Sequence, residues 1–321
     1  SQLEIENKFV DVVAEDVIIN GKIYSMPMYI DTLALYYNRS LLNNAGIAQP
    51  PATWDQFQTA SQQMTKINAD GEIIQAGSSL GTSSNVDGAA DILALLMIQN
   101  GTKMHTDTKS AAIFHTTPPN SQSTNPSAEA LRFYTDFALP QTTAYTWNNK
   151  QPENLEAFSN GELAFFMGYS YHLPLIKSQT LGKLNFSVAP APQISGRPPA
   201  NIASYWTPVV SKKAKSIDAA WSLIQTMAST AVVPDYLERV KKPTALLSLL
   251  DAEKSDSDLF AFSGQALNAQ NWYYGANPQT ARSVFNQIIS DALIIDPSKD
   301  RLQQLINLLS NGSAVINQSY H

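Results

Sequence analysis

Gly77, Ser79 and Gly81 share the G-x-S-x-G spacing that sets a nucleophilic serine on a sharp strand-to-helix turn. That chemistry needs a helix directly after the serine. Polar residues instead run on through Asn85, so a short Ser/Gly loop is the better account. A serine nucleophile also needs a histidine base. The four histidines, His105, His115, His172 and His321, stand in no such context and are too scattered to form a metal site by spacing. Asn68 to Glu72 has a calcium-loop flavour but lacks alternating ligands and a terminal Glu at the proper distance. Phosphate-cradling and dinucleotide glycine motifs are absent from the sequence. There is no cysteine, which excludes disulfides, thiolate catalysis and Cys-ligated metals. No catalytic residue, metal ligand or cofactor is therefore assigned. Only a carboxylate pair for glycoside hydrolysis stays open on sequence grounds.

The elements around these residues alternate between strand-like and helix-like patterns, which defines an α/β chain. Residues 23–26 and 33–37 read as short strands flanking Pro27 and Asp31. Pro50-Pro51 stops the chain, and Thr53-Trp54-Asp55-Gln56 reads as a capping box opening a helix. In that helix Trp54, Phe57, Ser61, Met64 and Ile67 recur at helical spacing. Asn68-Ala69-Asp70-Gly71 is a turn signal. Asp87 to Gln99 reads as a buried helix, and Asn125-Pro126 as an N-cap opening a helix to about Leu139. Residues 163–167 read as a buried strand and 206–210 as another. Residues 217–227 read as a helix, and Asn277-Pro278 and Pro297-Ser298 each predict a helix start. Tyr36, Tyr37, Trp54 and Trp221 are assigned to packing.

At 321 residues the chain predicts two domains. Its 44% hydrophobic content supports real cores, and only 15% of residues are charged, which argues against disorder. The net charge of −6 disfavours nucleic acid or an anionic membrane face as partner. The longest apolar run, Ile92 to Ile98, is too short to span a bilayer. Ser1-Gln2-Leu3-Glu4 is not a natural start, so a sizeable N-terminal piece is expected to precede it.

Five segments, in order over nearly the whole chain, carry a resemblance. They are residues 21–27 (GKIYSMP), 31–38 (DTLALYYN), 45–57 (AG through PP to TWDQF), 158–166 (FSNGELAFF) and 212–221 (KKAK to AAW). Together they resemble the extracellular solute-binding proteins of ABC importers, of the maltose-binding, sugar-type kind. The resemblance implies an α/β, two-lobed periplasmic-binding-protein-like fold of type II, with a ligand cleft between lobes joined by hinge crossings. It implies an N-lobe of 1–37 and 206–250, incomplete because the family's first strand–helix–strand unit is absent. It also implies a C-lobe of 38–205 and C-terminal helices over 251–321. Tyr37 and Asn38 would form the first crossing, and 197–205 the return. The expected partners are a small-molecule solute, most simply a carbohydrate, and the ABC permease. A monomer is expected, extracellular or periplasmic and lipid-anchored through the missing N-terminus.

A sugar presents hydroxyls at its rim and C–H groups on its faces, so its site wants flat aromatics and short polar groups. Loops that the resemblance turns toward the cleft supply them: Tyr29 and Asp31; Ser83, Ser84, Asn85 and Asp87; Tyr169, Ser170 and Tyr171; Tyr205 and Trp206; and Trp272, Tyr273 and Tyr274. Tyr171, Trp206 and Trp272 stand in loops rather than at periodic apolar positions and are read as ligand contacts. Asp31 also fits a turn-former, and Asn85 and Asp87 also fit helix capping. Asp31 and Asp87 keep a polyamine-like cation open as solute, beside a polyol or peptide. A carbohydrate-active enzyme and a surface protein that has lost transport are the readings from other classes.

Overall fold

The computed structural model describes residues 1–119, 121, 123–296 and 298–320. It is a mixed α/β chain that divides into two units. The first comprises Ser1–Ala34, Tyr169–Leu175 and Asn201–Asn271, the second Leu35–Gly168, Ile176–Ala200 and the chain from Trp272 onward. The chain thus leaves the first unit at Ala34, three residues before Tyr37, returns to it over Tyr169–Leu175, and re-enters it at Asn201. Of the C-terminal stretch that the sequence reading set apart, residues 251–271 belong to the first unit and the rest to the second.

The first unit opens with two helices, Gln2–Lys8 and Asp11–Val17. Their apolar faces bury Ile5, Val12, Val13 and Val17 in a cluster with Phe9, Ile30, Val233, Leu237, Leu246 and Leu250. Its three-stranded sheet sets Asn201–Ser204 between Asp31–Thr32, antiparallel, and Ala269–Gln270, parallel. Asn201 fastens this sheet: its Oδ1 accepts from the Leu33 N–H, and its Nδ2 donates to Leu33 O and Gln265 Oε1.

The expected strand over 23–26 is shorter, Lys22–Ile23, paired with Ile18–Ile19. Asn20 and Gly21 turn between them with φ of 49° and 75°, the positive-φ pair that a two-residue hairpin needs. The expected strand over 206–210 is absent. Pro208 has no N–H to give a ladder, Val209 makes only an isolated bridge to Ser25, and the strand lies earlier, at Asn201–Ser204.

In the second unit five strands run in the order Lys66–Ile67, Ile73–Ser78, Leu163–Gly168, Ala34–Asn38, Phe186–Pro190. Leu163–Gly168 is buried along its whole length, as a central strand covered on both faces must be. Aromatic contacts fill its core: Tyr36 to Phe166 at 5.3 Å and Phe57 to Phe165 at 5.2 Å. Trp54 is buried in that core and its indole donates to Gln99 Oε1.

Thr53 caps Trp54–Met64 through the Gln56 N–H, but Gln56 reaches back to the Ala52 N–H rather than to Thr53. Asn125 caps Pro126–Asp136, and Asn277 caps Pro278–Ala292. The last helix is Arg301–Asn317, capped by the Asp300 carboxylate. It does not start at Ser298, whose hydroxyl and N–H are held by Asp296, and Pro297 lies outside the described residues.

Candidate functional site

On the first unit, several of the aromatic and polar candidates come together around Tyr29. Backbone pairing explains why. The Ile30 N–H donates to Pro243 O, and Tyr29 bridges Thr244, so residues 242–244 are laid beside 29–30. Lys241, at φ 51°, closes the helix Val233–Val240 in a left-handed turn, and Lys242 follows it. Its ammonium stands 4.5 Å over the Tyr29 ring and 5.8 Å from the centre of the Tyr171 ring. The Tyr29 hydroxyl in turn accepts from the Trp206 N–H at 3.3 Å. Trp206 is 86% exposed and Tyr171 42%, the two open aromatic surfaces of the group. Lys242 carries no motif, and only the Tyr29–Thr244 pairing reveals it.

Asp31 lies beneath this group as a clamp, with its carboxylate buried. Its Oδ1 accepts from the Thr32 and Ser170 N–H groups, and its Oδ2 accepts from the Ser170 N–H and hydroxyl at 3.1 and 2.7 Å. Lys242 Nζ is 3.7 Å from Oδ2. Burial pushes the Asp31 carboxyl above the usual carboxylate range; the Ser170 donors, the Lys242 charge and the Thr32 N–H oppose that rise. By holding Ser170, Asp31 fixes the segment carrying Tyr169, which is buried and stacks at 6.0 Å on Tyr171. Asp31 therefore meets neither a simple turn-former's description nor that of an open ligand contact. Tyr205 is half-buried, and its hydroxyl donates to Asp16 Oδ2.

On the second unit, Ser83, Ser84, Asn85 and Asp87 lie in one loop before the helix Ala89–Gln99. Asn85 is buried and saturated. It donates to Asn148 O and Gln151 O and accepts from Thr82 Oγ1 and the Trp147 indole. It pins the loop and caps nothing; Gly88 is the N-cap residue of the helix. Ser83 donates to Asn286 O and Ser84 to Asn149 Oδ1, while Asp87 is exposed.

The Trp272 loop departs most from the sequence reading. Trp272 is buried, 4.7 Å from the Phe285 ring, and its indole donates to Asp91 Oδ1 at 2.9 Å. Tyr273 is buried as well, its hydroxyl paired with Ser319 and accepting from the Asn277 N–H. Tyr274 sits under Lys109 at 4.0 Å. Of the hinge pair, Asn38 caps the helix Arg39–Asn44 and Tyr37 is half-buried.

The G-x-S-x-G serine is no elbow. Ser79 is buried, and the next helix starts only at Ala89. Gly77 serves packing, since a Cβ there would fall 1.8 Å from Ser61 O. Asn68 Oδ1 accepts from the Asp70 and Glu72 N–H groups, so that stretch is a side-chain-closed turn. Among the described residues no group of His, Asp and Glu is placed to hold a metal ion, and no helix is long and apolar enough to cross a membrane.

The family model for bacterial extracellular solute-binding proteins matches residues 3–234, and the chain belongs to that family. The family is one of binding proteins, and a periplasmic or extracellular location goes with it. A putative binding protein of Brucella abortus (strain 2308) is 28% identical over 67 residues, 21% of this chain and 16% of the relative. The matched segment thus spans about a sixth of that relative's length. Among solved structures, the maltose-binding periplasmic protein MalE of Listeria monocytogenes, in complex with maltose, superposes with a TM-score of 0.74 at 21% identity, covering 98% of this chain and 77% of that one. An ABC transporter solute-binding protein of Thermotoga lettingae TMO, bound with α-D-tagatose, gives 0.69 at 20% identity, covering 94% and 74%. At these identities the likeness establishes the fold.

Proposed function

We propose that this chain is the solute-binding subunit of an ABC importer, that its solute is a mono- or oligosaccharide, and that it performs no chemistry on it. The observation that carries the reading is the group on the first unit: two open aromatic rings, Tyr171 and Trp206, joined through Tyr29 to polar side chains held in place from beneath. Flat apolar faces beside oriented hydrogen-bonding groups match a sugar's alternation of C–H faces and hydroxyls. The structural neighbours solved with maltose and tagatose support the same class. A polyamine fits less well, because Asp31 is buried and already holds three donors and an ammonium. The ligand contacts proposed are Tyr29, Tyr171 and Trp206, all on the first unit. Delivery to a permease, action as a monomer and a lipid anchor belong to this reading and rest on the family.

The test is a thermal-shift screen against sugars, polyols, amino acids and polyamines, since a ligand that binds only the folded state raises Tm by mass action. A shift with one sugar class is expected. Tyr171→Ala and Trp206→Ala should each weaken binding by about 2 kcal/mol in calorimetry, as aromatic anchors do. Unchanged affinity in both variants removes the stacking argument, and a shift confined to polyamines removes the saccharide.

A further inference from the structure

Lys242 is the cation of the aromatic group, ion-paired with the buried Asp31 carboxylate but with its N–H donors unspent. Asp31 Oδ2 is its nearest anion, but 3.7 Å is beyond a hydrogen bond. That carboxylate is already filled by Ser170 and Thr32. Among the described residues the three Lys242 N–H donors meet no hydrogen-bond acceptor. The Tyr29 and Tyr171 faces stabilise the ammonium through their quadrupoles without neutralising it and without using its donors. They also shield it, leaving the side chain 22% exposed, so its field toward an entering anion is screened less than at an open surface.

We propose that Lys242 is a specificity-determining residue, donating to a carboxylate on the solute, and that the saccharide bound is an acidic one, of the uronate class. The Tyr171 ring covers a face of the sugar while Lys242 takes the acid group at its edge. This deepens the saccharide reading and rests on it. Charge-assisted hydrogen bonds of this kind are about twice as strong as neutral ones, which is the margin that separates an acid sugar from its neutral counterpart.

The experiment is titration calorimetry on the full chain with galacturonate and digalacturonate, and with galactose and maltose as neutral probes, at low and high salt. Lys242→Met keeps the apolar stem and removes the charge; Lys242→Arg keeps the charge. The acidic probes should bind wild type at least about tenfold tighter than the neutral ones, with affinity falling as salt rises. Lys242→Met should lose that tenfold and the salt dependence, and Lys242→Arg should retain the acidic preference. Circular dichroism checks folding, and if Lys242→Met does not fold, Lys242→Gln against Lys242→Arg makes the same comparison. Neutral sugars binding as well as acidic ones, or an acidic preference that survives loss of the charge, overturns the role of Lys242 and leaves the saccharide reading standing. Binding of neither sugar class, with a response to a polyol or peptide, removes both.

Discussion

Trp272→Phe separates a core tryptophan from a ligand-binding one. In wild type the indole N–H donates to Asp91 Oδ1 at 2.9 Å, while Arg282 approaches Oδ2 at 3.2 Å from a partly exposed position. Phenylalanine keeps most of the contact with Phe285 and removes the N–H. The buried Asp91 carboxylate then loses that donor, and a lost hydrogen bond to a charged group costs about 1–3 kcal/mol. Trp272→Ala adds the cavity and should cost about 3–5 kcal/mol or more. For a domain of roughly 150–250 residues each kcal/mol moves Tm by about 2–4 °C, so the phenylalanine variant should melt several degrees lower. Urea unfolding followed by circular dichroism gives the free energy, and calorimetry on the folded variant gives the ligand affinity. The expected result is lost stability with affinity unchanged. Full stability with weakened binding would refute this assignment and return Trp272 to the ligand.

Asn85→Ala should destabilise by about 2 kcal/mol or more, because it strands the buried Trp147 indole and unpairs two half-buried carbonyl groups; denaturant midpoints measure it. Asp31 makes stability depend on pH in a set direction. Its folded pKa lies above its ordinary 3.8, so its contribution is fully present below that value and is lost as pH rises through the raised one. Asp31→Asn should remove that loss, and the difference between the two stability curves across the window above 3.8 isolates it. The subtraction matters because burial also raises Glu253, whose effect has the same sign and cancels in the comparison. Parallel curves for wild type and variant would contradict the burial of Asp31.

What the sequence made legible is what local chemistry decides. Thr53, Asn125 and Asn277 cap the helices they announce because a side-chain acceptor and its N–H partner lie within one turn. The run 163–167 reads as a buried strand because covered strands carry continuous apolar residues. The residues that went astray are those whose fate depends on distant partners. Trp272 and Trp206 both stand in loops with aromatic neighbours, and sequence gives them equal claims on a ligand. Asp91, 181 positions away, draws the first into the core. Among the described residues the second is held by its backbone N–H, through Tyr29, and its ring is left exposed.

The same distinction governs the charged candidates. Asp31 and Lys242 are over two hundred residues apart, and nothing local tells which of them meets solvent. The pairing of 29–30 with 243–244 settles it. That pairing brings the ammonium among the tyrosine rings, while Ser170 and Thr32 cover the carboxylate. Burying a carboxylate under three donors is tolerable because each donor supplies part of what water would. Stripping a lysine of all its hydrogen bonds in the same way would not be, and its partial exposure is what keeps the arrangement stable. The group that must remain accessible for its own solvation is therefore also the one that can be handed over to a solute oxygen. On this unit the search for ligand contacts should follow the unsatisfied donors of Lys242 rather than the more conspicuous acid.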